Sequence, residues 1–161
     1  MEHAGVNGAL ADAALLAAAG GLRSSAAPFF LSRAASRKRL SMPGSLPLRL
    51  LGSPGAATLL SVALAGELVA DKLPSVPART SPPALTGRML SGALAGGLVF
   101  REIGHRTWAG ALFGAAVAAA AANAGYHLRG LAARGGLPDL PVALTEDALT
   151  LACGAAFLLR R

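Results

Sequence analysis

Two carboxylates and an amine close the apolar run that ends in Glu67-Leu68-Val69-Ala70-Asp71-Lys72-Leu73-Pro74. No charged residue occurs from Leu50 to Gly66. Glu67 and Asp71 are four apart, so on a helix they share one face. A carboxylate near a helix C-terminus opposes the macrodipole, so the stability of its own helix does not explain Glu67. An ionisable side chain inside an apolar segment is by default a candidate to hold a proton or cation, or to pair with an arginine. Asp71, Lys72 and Pro74 read instead as the interfacial end of the same helix.

A second acidic pair, Glu146-Asp147, follows Thr145. The plain reading is an N-cap with acids in the first turn, where the dipole favours them. The apolar run after it, Ala148–Leu159, is only twelve residues, so a spanning helix must begin earlier and carry both acids below the surface. Asp12 lies near the middle of the first apolar stretch, where a charge costs upward of ~2.5 kcal/mol unless it is paired, protonated or wet. Arg88 and Arg23 are candidate counter-charges. The polar and ion-binding candidates are therefore Glu67, Asp71, Glu146, Asp147, Asp12 and Arg88.

Catalytic signatures are absent. The chain holds no zinc pattern, nucleophile elbow, phosphate loop or dinucleotide fingerprint, so no catalytic residue, metal site or cofactor is expected and an enzyme is not. Cys153 stands alone inside an apolar run as a packing residue, and His105 and His127 lie near segment ends.

The elements that carry these residues are five apolar segments, Ala4–Leu22, Leu50–Ala70, Met89–Phe100, Thr107–Leu128 and Leu140–Leu159. Four approach the ~20 residues of a spanning helix. The third has twelve residues between Arg88 and Arg101, roughly 18 Å of helix against a hydrocarbon core of roughly 30 Å. Its arginines snorkel outward, or one of them faces a polar interior, or the segment is re-entrant; a crossing with snorkelling arginines is preferred. Gly92 and Gly96, and Gly110 and Gly114, form small-xxx-small faces that suit close helix packing, within the chain or with a second copy of it.

Composition agrees with lipid surroundings. The chain is 53% hydrophobic but 4% aromatic, with 20 glycines, the balance of helices that approach closely in a bilayer. The net charge of +7 comes almost wholly from arginines set between the apolar runs, without the aromatic platforms of a nucleic-acid surface, so nucleic acid is not an expected partner. The fold class is an all-α polytopic transmembrane bundle of about five helices in a single membrane domain, residues 1–161. Residues 23–49 form a basic, proline-containing cytoplasmic loop, whose Arg33–Arg39 cluster meets anionic lipid. Residues 73–87 form a proline-rich external loop. With five crossings, alternate sides receive ten basic residues against five, which puts the N-terminus outside and the C-terminus in the cytoplasm. On this topology both acidic pairs lie at the outer end with Arg88, and Arg23 lies opposite.

The run Gly21-Leu22-Arg23 with Pro28, then Glu67-x-x-Ala70-Asp71-Lys72-x-Pro74, Arg88 and Glu146-Asp147 resembles a family of small bacterial inner-membrane proteins classed as domain of unknown function 4126. The likeness covers about Leu16 to Leu159. It implies an all-helical inner-membrane protein and carries no assigned activity or catalytic residues. The leading functional expectation is a small transporter or channel-like protein whose carboxylates bind a proton, cation or small solute. The alternative is a non-transporting scaffold held by buried acid–arginine pairs and Gly/Ala contacts.

Overall fold

The computed structural model describes residues 2–41, 45–70 and 81–161. Among these residues the chain is helical throughout: α1 (Glu2–Leu22), α2 (Ala26–Ser36), α3 (Leu46–Leu51), α4 (Pro54–Ala70), α5 (Pro82–Glu102), α6 (Thr107–Arg134) and α7 (Asp139–Arg160). Asp71 lies outside the described residues, as do Lys72 and Pro74.

Helix ends follow local chemistry. Ser53 precedes Pro54, the first residue of α4, and its Oγ accepts from the Ala56 N–H at 3.1 Å; proline at the next position gives up a donor that would be orphaned anyway. α5 and α6 each stop at a glycine in the left-handed region, Gly104 (φ 74) and Gly136 (φ 75). There the His105 N–H reaches the Phe100 carbonyl and the Leu137 N–H that of Ala132, the paired geometry that satisfies a last turn. α2 ends the same way but with Lys38 at φ 58, and the Arg39 N–H bonds to the Ala34 carbonyl.

The segment boundaries differ from the sequence expectation in physically clear ways. The second apolar segment is broken at Gly52–Pro54 into α3 and α4. The third is not short: α5 has 21 residues, about 31 Å of helix, because Arg88 is buried within it rather than marking its end. Residues 82–87, expected in an external loop, form its first turns. Residues 23–49, expected as a basic loop, contain α2 and the first turn of α3. α7 begins at Asp139, so Thr145 is mid-helix and no cap; its hydroxyl donates to the Pro141 carbonyl at 2.9 Å.

α1 is the central helix, touching α2, α5, α6 and α7, while α4 leans on α2 and α3. The α5–α6 contact is backbone on backbone. A Cβ built at Gly92 would overlap the Gly114 carbonyl oxygen, and one at Gly96 that of Gly110. Glycine is required there because the helices run antiparallel with no room for a side chain between them. On α7, Gly154 leaves the hollow that the Phe30 ring of α2 fills.

Alanine predominates in the core, where Ala13, Ala17, Ala19, Ala26, Ala27, Ala34, Ala95, Ala118 and Ala143 are buried around the larger Leu16, Leu31, Val99 and Phe157. Leucine and valine cover the outside, with Leu59 73% exposed, Val62 67% and Leu128 63%. Hydroxyls and an amide on the apolar helices turn back onto their own backbone: Thr58 to Pro54, Ser61 to Ala57, Thr86 to Pro82, Asn123 to Ala119 and Thr150 to Glu146. Each such bond satisfies the polar side chain within its own helix. α6 and α7 are long and apolar enough to cross a membrane, while Val6–Leu22 and Pro54–Ala70 are shorter apolar helices.

Two substitutions in α5 read the packing directly. Gly96→Leu should destabilise the bundle by about 1–3 kcal/mol as overpacking forces α5 from α6, whereas Gly87→Ala, with nothing within 4 Å of its Cβ, should be neutral or slightly stabilising; thermal unfolding in detergent measures both. Lys38→Gly should stabilise by about 1 kcal/mol, by relieving the left-handed backbone.

Candidate functional site

The charged residues form two groups, one at each end of the bundle, and the larger gathers on the turn between α1 and α2. α1 ends at Leu22 and α2 starts at Ala26, which leaves carbonyls of the first helix and amides of the intervening turn to be satisfied within packed protein. Three other helices supply the partners. From α5, the buried Arg88 donates Nη1 to the carbonyls of Gly21 and Leu22, both at 2.8 Å. From α4, Glu67 accepts the Ser24 N–H at 2.8 Å and hydroxyl at 3.0 Å on Oε1, and the Ser25 N–H at 2.9 Å and hydroxyl at 2.5 Å on Oε2. From α7, Asp147 accepts Nε and Nη2 of Arg23 on Oδ1, at 3.1 and 2.5 Å, while Arg23 Nη1 donates to the Leu22 carbonyl at 3.0 Å. The Arg23 side chain is fully buried.

This geometry accounts for charges that their own helices disfavour. Glu67 opposes the dipole of α4 but sits at the N-terminus of α2, the end that attracts an anion. Arg88 is close to the start of α5 but meets the C-terminal carbonyls of α1, the end that attracts a cation.

Glu146, one residue from Asp147, turns towards α6. Its Oε2 is 3.8 Å from Arg129 Nη2, and Arg129 Nε is 2.9 Å from Asp139 Oδ1. Gly125 makes room for this carboxylate, since a Cβ there would come within 3.1 Å of Oε1. Glu146 also borders a groove of ≈ 600 Å³ between α6 and α7, beside Leu22.

At the opposite end Asp12 accepts Arg160 Nε at 2.7 Å and Arg161 Nε at 2.8 Å, and Arg161 also bonds to Glu102. Arg160 further reaches the Gly8 carbonyl, and Arg39 donates to the Leu158 carbonyl at 3.1 Å. The buried charge of α1 is thus met by the tail of α7.

Of the residues expected at a site, Glu67, Arg88 and Asp147 converge on one turn, Glu146 adjoins it through the groove, and Asp12 belongs to the other end. Arg88 does not snorkel outward, because the α1 carbonyls satisfy it inside. Arg23, expected opposite the acids, stands among them. The reason is α2: its apolar Ala26–Leu31 stretch packs into the bundle instead of lying at a surface, so the chain makes an additional return pass before α4. The same pass brings the two ends of the sequence together, since Arg160 and Arg161 contact Gly8 and Asp12; the expectation that the chain ends lie at opposite ends of the bundle does not agree with this. Sequence reasoning missed Ser24-Ser25, Arg129, Glu102 and the pairing of Arg160-Arg161. A serine pair directly before an apolar run is a helix-start signal that would have exposed α2.

Among the described residues no group of acidic, histidine or cysteine side chains could hold a metal ion.

Fold and site define an all-helical bundle with small-residue packing, an apolar exterior and internal charges tied across helices. A family described as "Domain of unknown function (DUF4126)" matches residues 10–159, and the chain belongs to that family. Searches of curated proteins and of solved structures find no match.

A double-mutant cycle tests the central pair. Asp147→Asn or Arg23→Met alone should cost about 3–5 kcal/mol, because each breaks a buried ion pair, while Arg23→Met with Asp147→Leu should cost less than the sum. Detergent-phase unfolding midpoints are the measurement.

Proposed function

We propose that this chain is a multi-pass integral protein of the bacterial inner membrane, transporter- or channel-like, in which Glu146 is the carboxylate that meets a proton, cation or small solute. The observation that carries the membrane reading is an exterior rich in exposed leucine and valine over a core in which alanine predominates. In water such an exterior would be a large aggregation surface. In lipid it is the natural covering, and the close glycine contacts supply the association. α6, at about 42 Å, and α7, at about 33 Å, exceed the roughly 30 Å of hydrocarbon.

Arg33, Arg37, Lys38, Arg39, Arg49, Arg101, Arg106, Arg160 and Arg161 belong to the end of the bundle where the two chain ends meet. The positive-inside rule makes that end cytoplasmic, with Arg33–Arg39 against anionic headgroups. This orients the C-terminus as the sequence reading did and brings the N-terminus to the same side.

The solute role draws its support from Glu146 bordering an open groove, while Glu67 and Asp147 hold the α1–α2 turn. A non-transporting scaffold, the second reading, draws support from those same engagements and from the uncovered apolar face of α4, which suits association with another copy.

Two measurements test this. A green fluorescent reporter fused after Arg161 should fluoresce, and a phosphatase fused there should stay silent; the reverse would overturn the orientation. In proteoliposomes, a pH- or cation-dependent flux should be lost in Glu146→Gln and kept in Arg134→Gln. A folded Glu146→Gln that leaves every flux unchanged removes the solute reading in favour of the scaffold.

A further inference from the structure

We infer that the end of α6 holds the phosphate headgroup of an anionic glycerophospholipid, seated over Gly130 in the leaflet away from the two chain ends. The inference rests on the membrane reading above and goes beyond it to a lipid site. The chain's one tryptophan and one tyrosine, Trp108 and Tyr126, both stand exposed on α6. They are eighteen residues apart, about five turns, so they share one face at a separation of about 27 Å. That is close to the ~30 Å of a hydrocarbon core, and such rings settle at its two boundaries. Arg106 then lies outside one boundary. His127, Arg129 and Arg134 lie outside the other, which puts the end of α6 at headgroup depth.

A cavity of ≈ 410 Å³ opens at that depth, with Tyr126, His127, Arg129, Gly130, Ala133 and Arg134 in its lining. Gly130 makes the space, since a Cβ built there meets nothing within 4 Å. Tyr126 and Arg134 stand one turn to either side of it on the same face. Helical side chains lean towards the N-terminus, so Arg134 slopes back over the notch and towards the bilayer. The His127 ring packs edge-on against Tyr126, centroids 5.5 Å apart, and forms the lower rim. Arg129 is held by Asp139 at 2.9 Å, which leaves Arg134 as the cation that meets a ligand. Guanidinium, imidazole and phenol can all donate hydrogen bonds, and no acid lines the cavity among the described residues. The matching group is an anion with several acceptor oxygens, and at this depth that is a lipid phosphate. Its acyl chains run down the exposed face of α6 past Asn123. None of these residues lines the α6–α7 groove, so the site is separate from that of Glu146.

The test uses the full chain in bilayers of phosphatidylcholine and phosphatidylglycerol, one of the two brominated on its acyl chains, with tryptophan fluorescence as the readout. Native Trp108 reports placement: bromines near the headgroup should quench it more than bromines at the bilayer centre. Trp108→Phe with Asn123→Trp moves the sole indole one turn below Tyr126, beside the chains of a seated lipid. There phosphatidylglycerol should be preferred over phosphatidylcholine about fivefold, the size of one cation's attraction at a lipid surface. Arg134→Gln should bring that preference to about one, and so should Gly130→Leu, which fills the notch. Both positions are exposed, and if one variant fails to fold the other decides alone. Arg37→Gln, in the basic cluster at the opposite end, should leave the preference intact. Glycerol phosphate in excess should not lower it; displacement would overturn the lipid in favour of a soluble phosphate. No preference in the parent, a preference that survives either site variant, or one lost in Arg37→Gln overturns the proposal. With Trp108 quenched and no preference, this site alone falls. With Trp108 beyond the reach of every bromine, the membrane reading falls and takes the site with it.

Discussion

The structure depends on satisfying one turn of backbone inside an apolar bundle. Where α1 stops and α2 turns back, carbonyls and amides are left without helical partners, and groups of this kind cost several kcal/mol each when buried unpaired. The chain resolves this with charges borrowed from elsewhere: a cation from α5 for the carbonyls of Gly21 and Leu22, and an anion from α4 for the amides of Ser24 and Ser25. Arg23, held on the turn itself, fastens α7 through Asp147. Six helices are thereby located relative to the turn or to one another: α1 and α2 by connection, α4, α5 and α7 by charge, and α6 by its glycine seam with α5.

Packing and electrostatics are complementary in this arrangement. Alanine and glycine cores bring backbones close but bury little side-chain area, so they specify distance better than register. Ion pairs and charge-assisted bonds specify register, since displacing α4 or α7 by one turn would strand a buried charge. Glu67 and Asp147 are occupied in holding helices, whereas Glu146 stands between a tie to Arg129 and an open groove. The proposed solute role is placed on Glu146 because of that groove.

Much of this was legible in the sequence. The helical class followed from run lengths and composition, and the family likeness from the Glu67–Pro74 run with its flanking residues. The importance of Glu67 was visible in its conflict with its own helix dipole, and the tight α5–α6 pair in the spacing of Gly92, Gly96, Gly110 and Gly114. The return pass of α2 was not legible, because eleven residues are too few to register as a crossing and the neighbouring arginines masked it as a loop. That omission misplaced Arg23 and separated the chain ends. Asp147 drew attention beside Glu146, but which of the two would meet an arginine and which a groove depends on the facing of α7, which adjacent residues cannot disclose.

The most direct test of the account is amide hydrogen exchange at Ser24 and Ser25, read by NMR or mass spectrometry on the protein in nanodiscs, for the wild type and for Glu67→Ala. If Glu67 closes the turn, both amides exchange slowly in the wild type and are deprotected by at least about tenfold in the variant, while α6 is unchanged. Equal protection of Ser24 and Ser25 in the two proteins would contradict the claim that this carboxylate holds the turn on which the bundle is built.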